Sequence, residues 1–289
     1  MIPNIVLSID GGGIKGIIPL QIIRRLKKEF PTFLDHIFFL SGTSTGGIIT
    51  LGLAAGIYID KIMDLYLKEG KNIFVRDDFW KYIPGRNIFR AKHSLKPMLN
   101  ILKASYGNKK LKDVNKDVLI PTFDLLSFRP KHYKNWEDPE EYLYDVAVET
   151  AVAPIYFPSH RARIDGGVFS SNPCDSAALE AFKRYPLKEY IVLSLGTGRV
   201  EQSYIGGDLG IKQYFYPHTV LLDAMFEGSS HAATYRTEVF MGEDNFRRFN
   251  PFLGKNMAMD DPKLSMKLYE IGNEVNIDPL LFWLSRKGL

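Results

Sequence analysis

One cysteine, Cys174, is all that 289 residues contain. An intramolecular disulfide is thereby impossible, a cysteine-based zinc site is excluded, and a reducing compartment suits the chain. No stretch of about 18 consecutive apolar residues occurs, so no transmembrane helix is expected. Met1 to Gly16 lacks a basic n-region and a cleavage pattern, so no secretory signal peptide is expected. Internal repeats, low-complexity tracts and domain linkers are lacking too, and a single domain over residues 1–289 is the expectation. Neither an H-E-x-x-H nor an EF-hand pattern is found, and the reading calls for no metal and no cofactor. What is there suits a globular chain: 45% hydrophobic, 24% charged and 13% aromatic residues, enough apolar material to offset the entropy of ordering.

The formal net charge of +4 averages over unlike parts. Between Lys68 and Lys134 stand 16 Lys and Arg against 6 Asp and Glu, a local balance of +10, which leaves −6 for the remainder. In that segment Phe74, Phe79, Trp80, Tyr82, Ile83, Ile88 and Phe89 interleave with Arg76, Lys81, Arg86, Arg90 and Lys92. A solvated face is one reading of such a run. The other is a face that meets anionic membrane, with Phe79, Trp80, Lys81, Arg86, Phe89 and Arg90 as the contacts. Nucleic acid is not expected, because no binding motif accompanies the charge.

Hydrophobic periodicity predicts an α/β architecture. Ile5 to Ile9 reads as a strand running into Asp10-Gly11-Gly12-Gly13. Ile17 to Glu29 has helical spacing, with Pro19 in the first turn and Lys27 and Lys28 in the last. Ile37 to Leu40 forms a second strand that meets Ser41-Gly42-Thr43-Ser44-Thr45-Gly46-Gly47, and a helix resumes over Ile48 to Ala55. Further strands are predicted at Val118 to Phe123 and Tyr190 to Leu195. Asp60 is placed as the cap of a helix through Lys68, and Asp260 or Asp261 as the cap of a helix that follows Pro262. The fold class is therefore α/β, a three-layer α/β/α arrangement around a mainly parallel sheet. The motif-bearing core spans about 4–200, followed by a helical part over about 201–289.

Three motifs carry chemistry. Gly42-Thr43-Ser44-Thr45-Gly46 fits the G-x-S-x-G elbow, in which a sharp strand-to-helix turn exposes a serine hydroxyl at a helix N-terminus. Its bland alternative is a glycine-rich loop with a helix-capping serine. The glycines of Asp10 to Gly16 let backbone N–H groups converge, as an oxyanion hole or phosphate cradle requires. Gly11, Gly13 and Gly16 also satisfy G-x-G-x-x-G, but the serine turn stands where the ribose-binding acid of a dinucleotide site should be. Asp165-Gly166-Gly167 reads either as a plain turn or as an accessible carboxylate, which would need partial burial to act as a base.

In this order, Asp10-Gly-Gly-Gly-Ile-Lys-Gly16, Gly42-Thr-Ser-Thr-Gly46 and Asp165-Gly-Gly167 resemble the patatin-like phospholipases. Ala153-Pro154-Ile-Tyr-Phe-Pro158, Asn172-Pro173 and Ser194-Leu-Gly-Thr-Gly198 extend the likeness, and Met259-Asp260-Asp261 weakly resumes it. Val148 to Pro154 departs from the small, serine-rich run usual there. The resemblance implies a Ser44–Asp165 dyad and an oxyanion hole from Gly11, Gly12 and Gly13. It gives Lys15, Gly42, Gly46, Gly166 and Gly167 supporting roles. It implies cleavage of glycerolipid esters through an acyl-enzyme, by a cytoplasmic protein that meets membrane transiently. It also allows a membrane-degrading effector of bacterial antiphage defence with a nucleotide activator. Rival readings are a non-catalytic lipid-binding or signalling protein, a Ser-His-Asp acyl hydrolase drawing on His218 or His231, and an acyltransferase, which Thr43 in place of a histidine before Ser44 disfavours.

Overall fold

The computed structural model describes residues 3–75, 90–200, 220–255 and 257–289. β1 (Asn4–Ile9), β2 (Ile37–Gly42), β3 (Asp117–Asp124), β4 (Arg129–Lys134), β5 (Arg163–Asp165), β6 (Tyr190–Leu195) and β7 (Phe246–Phe249) form one sheet. Its order is β4-β3-β2-β1-β6-β7, with β5 pairing β3 off that path. β1, β2, β3, β6 and β7 are mutually parallel, and the two antiparallel partners, β4 and β5, both attach to β3.

Alternation along the strands builds two cores and hence three layers. Ile5, Leu7 and Ile9 of β1, with Ile191, Leu193 and Leu195 of β6, face a large apolar cluster. Helices α1 (Ile17–Glu29), α2 (Thr45–Ala54), α3 (Ile59–Leu67), α4 (Gly70–Ile73), α5 (Leu95–Tyr106) and α6 (Leu143–Ala151) belong to that side. Val6, Phe39, Leu119 and Val192 point the other way, onto Cys174, Ala177, Ala178, Ala181 and Ala233. Those small residues lie on α8 (Cys174–Arg184) and α9 (Val220–Met241), which α7 (Gly167–Ser170) precedes. α10 (Ser265–Glu274) and α11 (Asp278–Arg286) close the chain, with Leu268, Leu280 and Leu284 in the larger core.

Two expectations need correction. The part after residue 200 is not purely helical, because β7 extends the sheet beside β6. Asp60 does not cap α3: the cap position is Tyr58, and Asp60 sits in the first turn and pairs with Arg24. Asp261 does cap the turn at Pro262–Leu264, accepting from the Lys263 amide at 3.0 Å. Of the basic aromatic segment, Phe79, Trp80, Lys81, Arg86 and Phe89 lie outside the described residues, and Arg90 is exposed.

Candidate active site

β2 ends in a turn that only small residues permit. A Cβ at Gly42 would lie 2.2 Å from the Gly46 carbonyl oxygen, and one at Gly46 would lie 2.2 Å from that of Ile9. Between them Ser44 adopts φ 56°, ψ −124°, a left-handed region that non-glycine residues seldom occupy and that is commonest at functional sites. Its neighbours hold it there. The Ser44 amide donates to Thr150 Oγ1 at 3.0 Å, that hydroxyl donates to Pro121 O at 2.6 Å, and Thr43 Oγ1 donates to Ser170 O at 2.6 Å. Ser44 stands at the N-cap of α2, yet its side chain makes no capping hydrogen bond, so the capping-serine reading fails.

Asp165 arrives from another part of the chain. β5 lies antiparallel to β3 with Asp165 opposite Thr122, and the Thr122 hydroxyl donates to Ile164 O at 2.8 Å. The Asp165 amide is fixed by Val152 O at 3.1 Å, and the Gly167 amide donates to Asp165 Oδ1 at 2.7 Å. The carboxyl is 2% exposed and Ser44 is 8% exposed. Burial pushes the Asp165 pKa up to about 7, opposed in part by hydrogen bonding to the Ser44 hydroxyl and the Gly167 amide. A carboxyl so shifted is matched to proton exchange near neutrality, which an ordinary aspartate is not.

The glycine loop faces the same turn, and a Cβ on Gly11 would touch Ser44 Cβ at 3.3 Å. Its three amides are not equivalent. Gly11 N–H is consumed by Ser171 O at 2.9 Å, so it is removed from the expected set of oxyanion donors. The amides of Gly12 and Gly13 have no protein acceptor among the described residues. Gly12 has φ 155° against Thr197, whose hydroxyl bonds Gly11 O at 2.7 Å. Gly13 has φ 60°, and a Cβ there would lie 2.1 Å from Met259 O. Lys15 is half-buried; burial lowers its pKa, while Glu227, Asp223 and Asp10 pull it back up.

Beneath the loop lies a polar network that joins Asp10, Asn172 and Ser194, each from a sequence motif, through Arg248 and Ser230, which no motif announced. Arg248 of β7 grips Asp10 with both arms, Nη1 to Oδ1 at 2.7 Å and Nη2 to Oδ2 at 2.5 Å. The guanidinium also reaches Ser194 Oγ at 2.7 Å and Ser230 Oγ at 3.2 Å, and Ser194 continues to Asn172 at 3.1 Å. Burial raises the Asp10 pKa, and the Arg248 charge and hydrogen bonds oppose that rise.

On the other flank of Ser44 opens a narrow, largely apolar cavity of about 50 Å³, lined among others by Ile14, Ile48, Ile73, Met98, Phe157 and Met259. Tyr66 also lines it, its hydroxyl bonded to Thr45 Oγ1 at 2.6 Å. Among the described residues no histidine is hydrogen-bonded to Ser44 or Asp165. His93 is committed to Asp260 at 2.6 Å and His160 to Asp145 at 2.8 Å, while His231 is exposed beside Glu227 and His218 lies outside the described residues. No described group of three or more His, Cys, Asp or Glu side chains could hold a metal ion.

Fold and site together define a class: a mainly parallel α/β scaffold that presents a strained serine beside a buried carboxyl and a glycine loop. The patatin-like phospholipase profile matches residues 7–178, and the chain belongs to that family. Patatin-like protein 4 of Arabidopsis thaliana is 28% identical over 93% of this chain and 81% of its own length. A cGAMP-activated phospholipase of Vibrio cholerae is 28% identical over 62% of this chain, which spans 58% of that protein. In three dimensions, VipD from Legionella pneumophila superposes with a TM-score of 0.54 at 15% identity, covering 99% of this chain and 67% of that one, a likeness of fold.

Proposed function

We propose that this chain is a lipid acyl hydrolase of phospholipase A or lysophospholipase type, with Ser44 as nucleophile and Asp165 as general base. The observation that carries the reading is the pairing of a strained, uncapped serine with a buried carboxyl raised to about 7, whose hydrogen-bonding partners are that serine and the Gly167 amide. As Ser44 Oγ bonds to the ester carbonyl carbon of a glycerolipid, its proton passes to Asp165. The developing oxyanion accepts from the Gly12 and Gly13 amides, which have no protein acceptor among the described residues, each donor typically worth ~10²–10³ in rate. Collapse breaks the bond to the leaving oxygen, which takes the proton from Asp165 and departs as lysolipid or alcohol. Water then attacks the acyl-Ser44 ester, Asp165 again taking and returning the proton. The apolar side chains lining the cavity beside Ser44 match an acyl chain in chemistry, and at about 50 Å³ the cavity must widen to admit one.

Among the described residues no helix is long and apolar enough to cross a membrane, and the proposal has the protein work in the cytoplasm, touching membrane transiently. Likeness to a cGAMP-activated phospholipase supports an effector role gated by a nucleotide, of the kind antiphage defence would employ. The test is release of fatty acid from mixed phosphatidylcholine and phosphatidylglycerol vesicles, with and without cGAMP, alongside labelling by a fluorophosphonate probe. Ser44→Ala should abolish both readouts, and Asp165→Asn should reduce both by at least ~10³-fold. Wild-type rates in either variant would overturn the dyad.

A further inference from the structure

β3 outruns its neighbour. Its last pair with β2 joins Leu119 to Ser41, Asp165 stands opposite Thr122, and the hairpin to β4 turns over residues 125–128. The tip therefore lies at the Ser44 end of the sheet, three to four residues beyond the rung of Asp165, or about 10–13 Å. Hairpin tips are ordinarily built from Gly, Asn, Asp and Ser. This one is Leu125-Leu126-Ser127-Phe128, with Leu126 82% and Phe128 75% exposed.

The turn is built to hold those side chains outward. Asp124 accepts from the Leu126 amide at 2.8 Å and from Ser127 Oγ at 2.9 Å, and the Leu125 amide donates to Ala162 O at 2.9 Å. Phe128 adopts φ 54°, a region costly for a bulky residue, and its ring is braced edge-on against Phe123 at 5.4 Å. Exposure here is a property of a rigid finger, with little ordering left to lose on insertion. Of the four cations around the finger, Lys131 is paired with Asp138, Arg161 with Glu141, Asp145 and Glu149, and Arg163 with Asp124, which leaves Arg129 as the unpaired one among the described residues. Arg129 stands exposed at the base of the finger, where β4 begins.

We propose that the Leu126–Phe128 tip is a membrane anchor that enters the acyl region of an anionic bilayer, with Arg129 among the headgroups. The occupant follows from the shape and from one charge: two large apolar side chains on a narrow projection, with the unpaired, exposed Arg129 at its base, match an anionic lipid interface. Anchoring there sets the Ser44 end of the sheet against the surface that holds the substrate. The proposal rests on the acyl-hydrolase reading, but its binding step does not require turnover.

The test uses the whole chain carrying Ser44→Ala, so that vesicles survive, and 3:1 phosphatidylcholine–phosphatidylglycerol vesicles. Co-sedimentation of Leu126→Ser/Phe128→Ser should fall by at least about tenfold. Arg129→Gln should weaken binding to these vesicles but not to pure phosphatidylcholine, and Phe128→Trp should shift its emission to the blue on vesicle addition. In the Ser44 enzyme, Leu126→Ser/Phe128→Ser should lose vesicle hydrolysis while retaining its rate on a short-chain water-soluble ester and its melting temperature. Unchanged vesicle binding would sink the anchor. So would equal loss on the soluble ester, or a wild-type dimer that the double variant turns into a monomer, since the tip would then be covered by a second copy. Absence of any esterase activity in the wild type would overturn the hydrolase reading while leaving the binding result to stand or fall alone.

Discussion

Replacing Arg248 by Met removes the partner of a carboxyl that has nowhere else to go. Asp10 is 5% exposed, and both of its oxygens are held by Arg248. Deleting one member of such a buried pair characteristically costs about 3–5 kcal/mol, because the other charge stays desolvated. Arg248 also satisfies Ser194 and Ser230, which places Arg248→Met in the upper half of that range. Part of the loss is recoverable: Asp10→Asn/Arg248→Met has no orphaned charge, and should be more stable than Arg248→Met alone by about 1–3 kcal/mol. Arg248→Lys keeps the charge but not the two-armed grip, and should fall between wild type and Met. Urea unfolding gives the free energies, and the rate of fluorophosphonate labelling at Ser44 reports on the glycine loop above the pair. That rate should drop by ~10² in Arg248→Met if Gly12 or Gly13 leaves its position. A cost below about 1 kcal/mol, or a double variant no more stable than Arg248→Met, would refute the view of Asp10–Arg248 as a buried, mutually dependent pair.

Two further outcomes follow from carboxyls that burial perturbs. With Asp165 raised to about 7, kcat/KM on a soluble ester should climb as pH rises through about 7 and level off above it, since the base must be ionised; a flat profile from pH 5.5 to 8.5 would exclude that assignment. Glu149 is fully buried, accepts from the Tyr133 hydroxyl at 2.6 Å, and is pushed up to about 7 by desolvation. Its folded pKa lies above the ordinary 4.5, so the folded state holds the proton more tightly and stability falls as pH rises from about 4.5 to 7. Asp165 adds a slope of the same sign beginning nearer 3.8. Glu149→Gln should flatten the fall in melting temperature between pH 5 and pH 8 without abolishing it; an unchanged slope would mean that Glu149 stays ionised throughout.

The elements most legible in the sequence are those whose signals are local. α1 occupies Ile17–Glu29 and β6 occupies Tyr190–Leu195, both with the predicted bounds, because apolar period and end signals agree there. β4, β5 and β7 escaped notice for different reasons. Arg-Pro-Lys-His-Tyr-Lys is a polar edge strand, Arg163–Asp165 is too short for any periodicity to register, and in Phe-Arg-Arg-Phe one of the two arginines, Arg248, is itself turned inward, which breaks the apolar pattern. Ser44, Asp165 and the glycines could be found because their turns demand particular residue types at fixed spacing. Arg248, Thr150 and the loss of Gly11 as a donor could not. Each depends on a partner more than 50 residues away, and an arginine in a short strand or a threonine in a helix has no distinctive local neighbourhood.

The same non-locality explains why the glycine loop needs chain beyond residue 178, where the family match ends. Gly12 must be glycine because Thr197 stands against it, and Gly13 because Met259 O does. The Ile14 amide donates to that same Met259 oxygen at 2.8 Å, which pins the loop from the side of the apolar cavity, while Arg248 pins Asp10 from beneath. Asp260, next in sequence to Met259, is in turn tied to His93 and Lys92, and it lines the cavity beside Ser44. The orientation of the Gly12 and Gly13 amides is thus imposed by contacts from residues 197, 248 and 259, of which only Thr197 lies in a glycine motif, Gly196-Thr197-Gly198, and that one far along the chain from the loop. A motif of this kind marks where the backbone must be bare; the segments that make it so lie elsewhere in the chain, and they set the loop's shape.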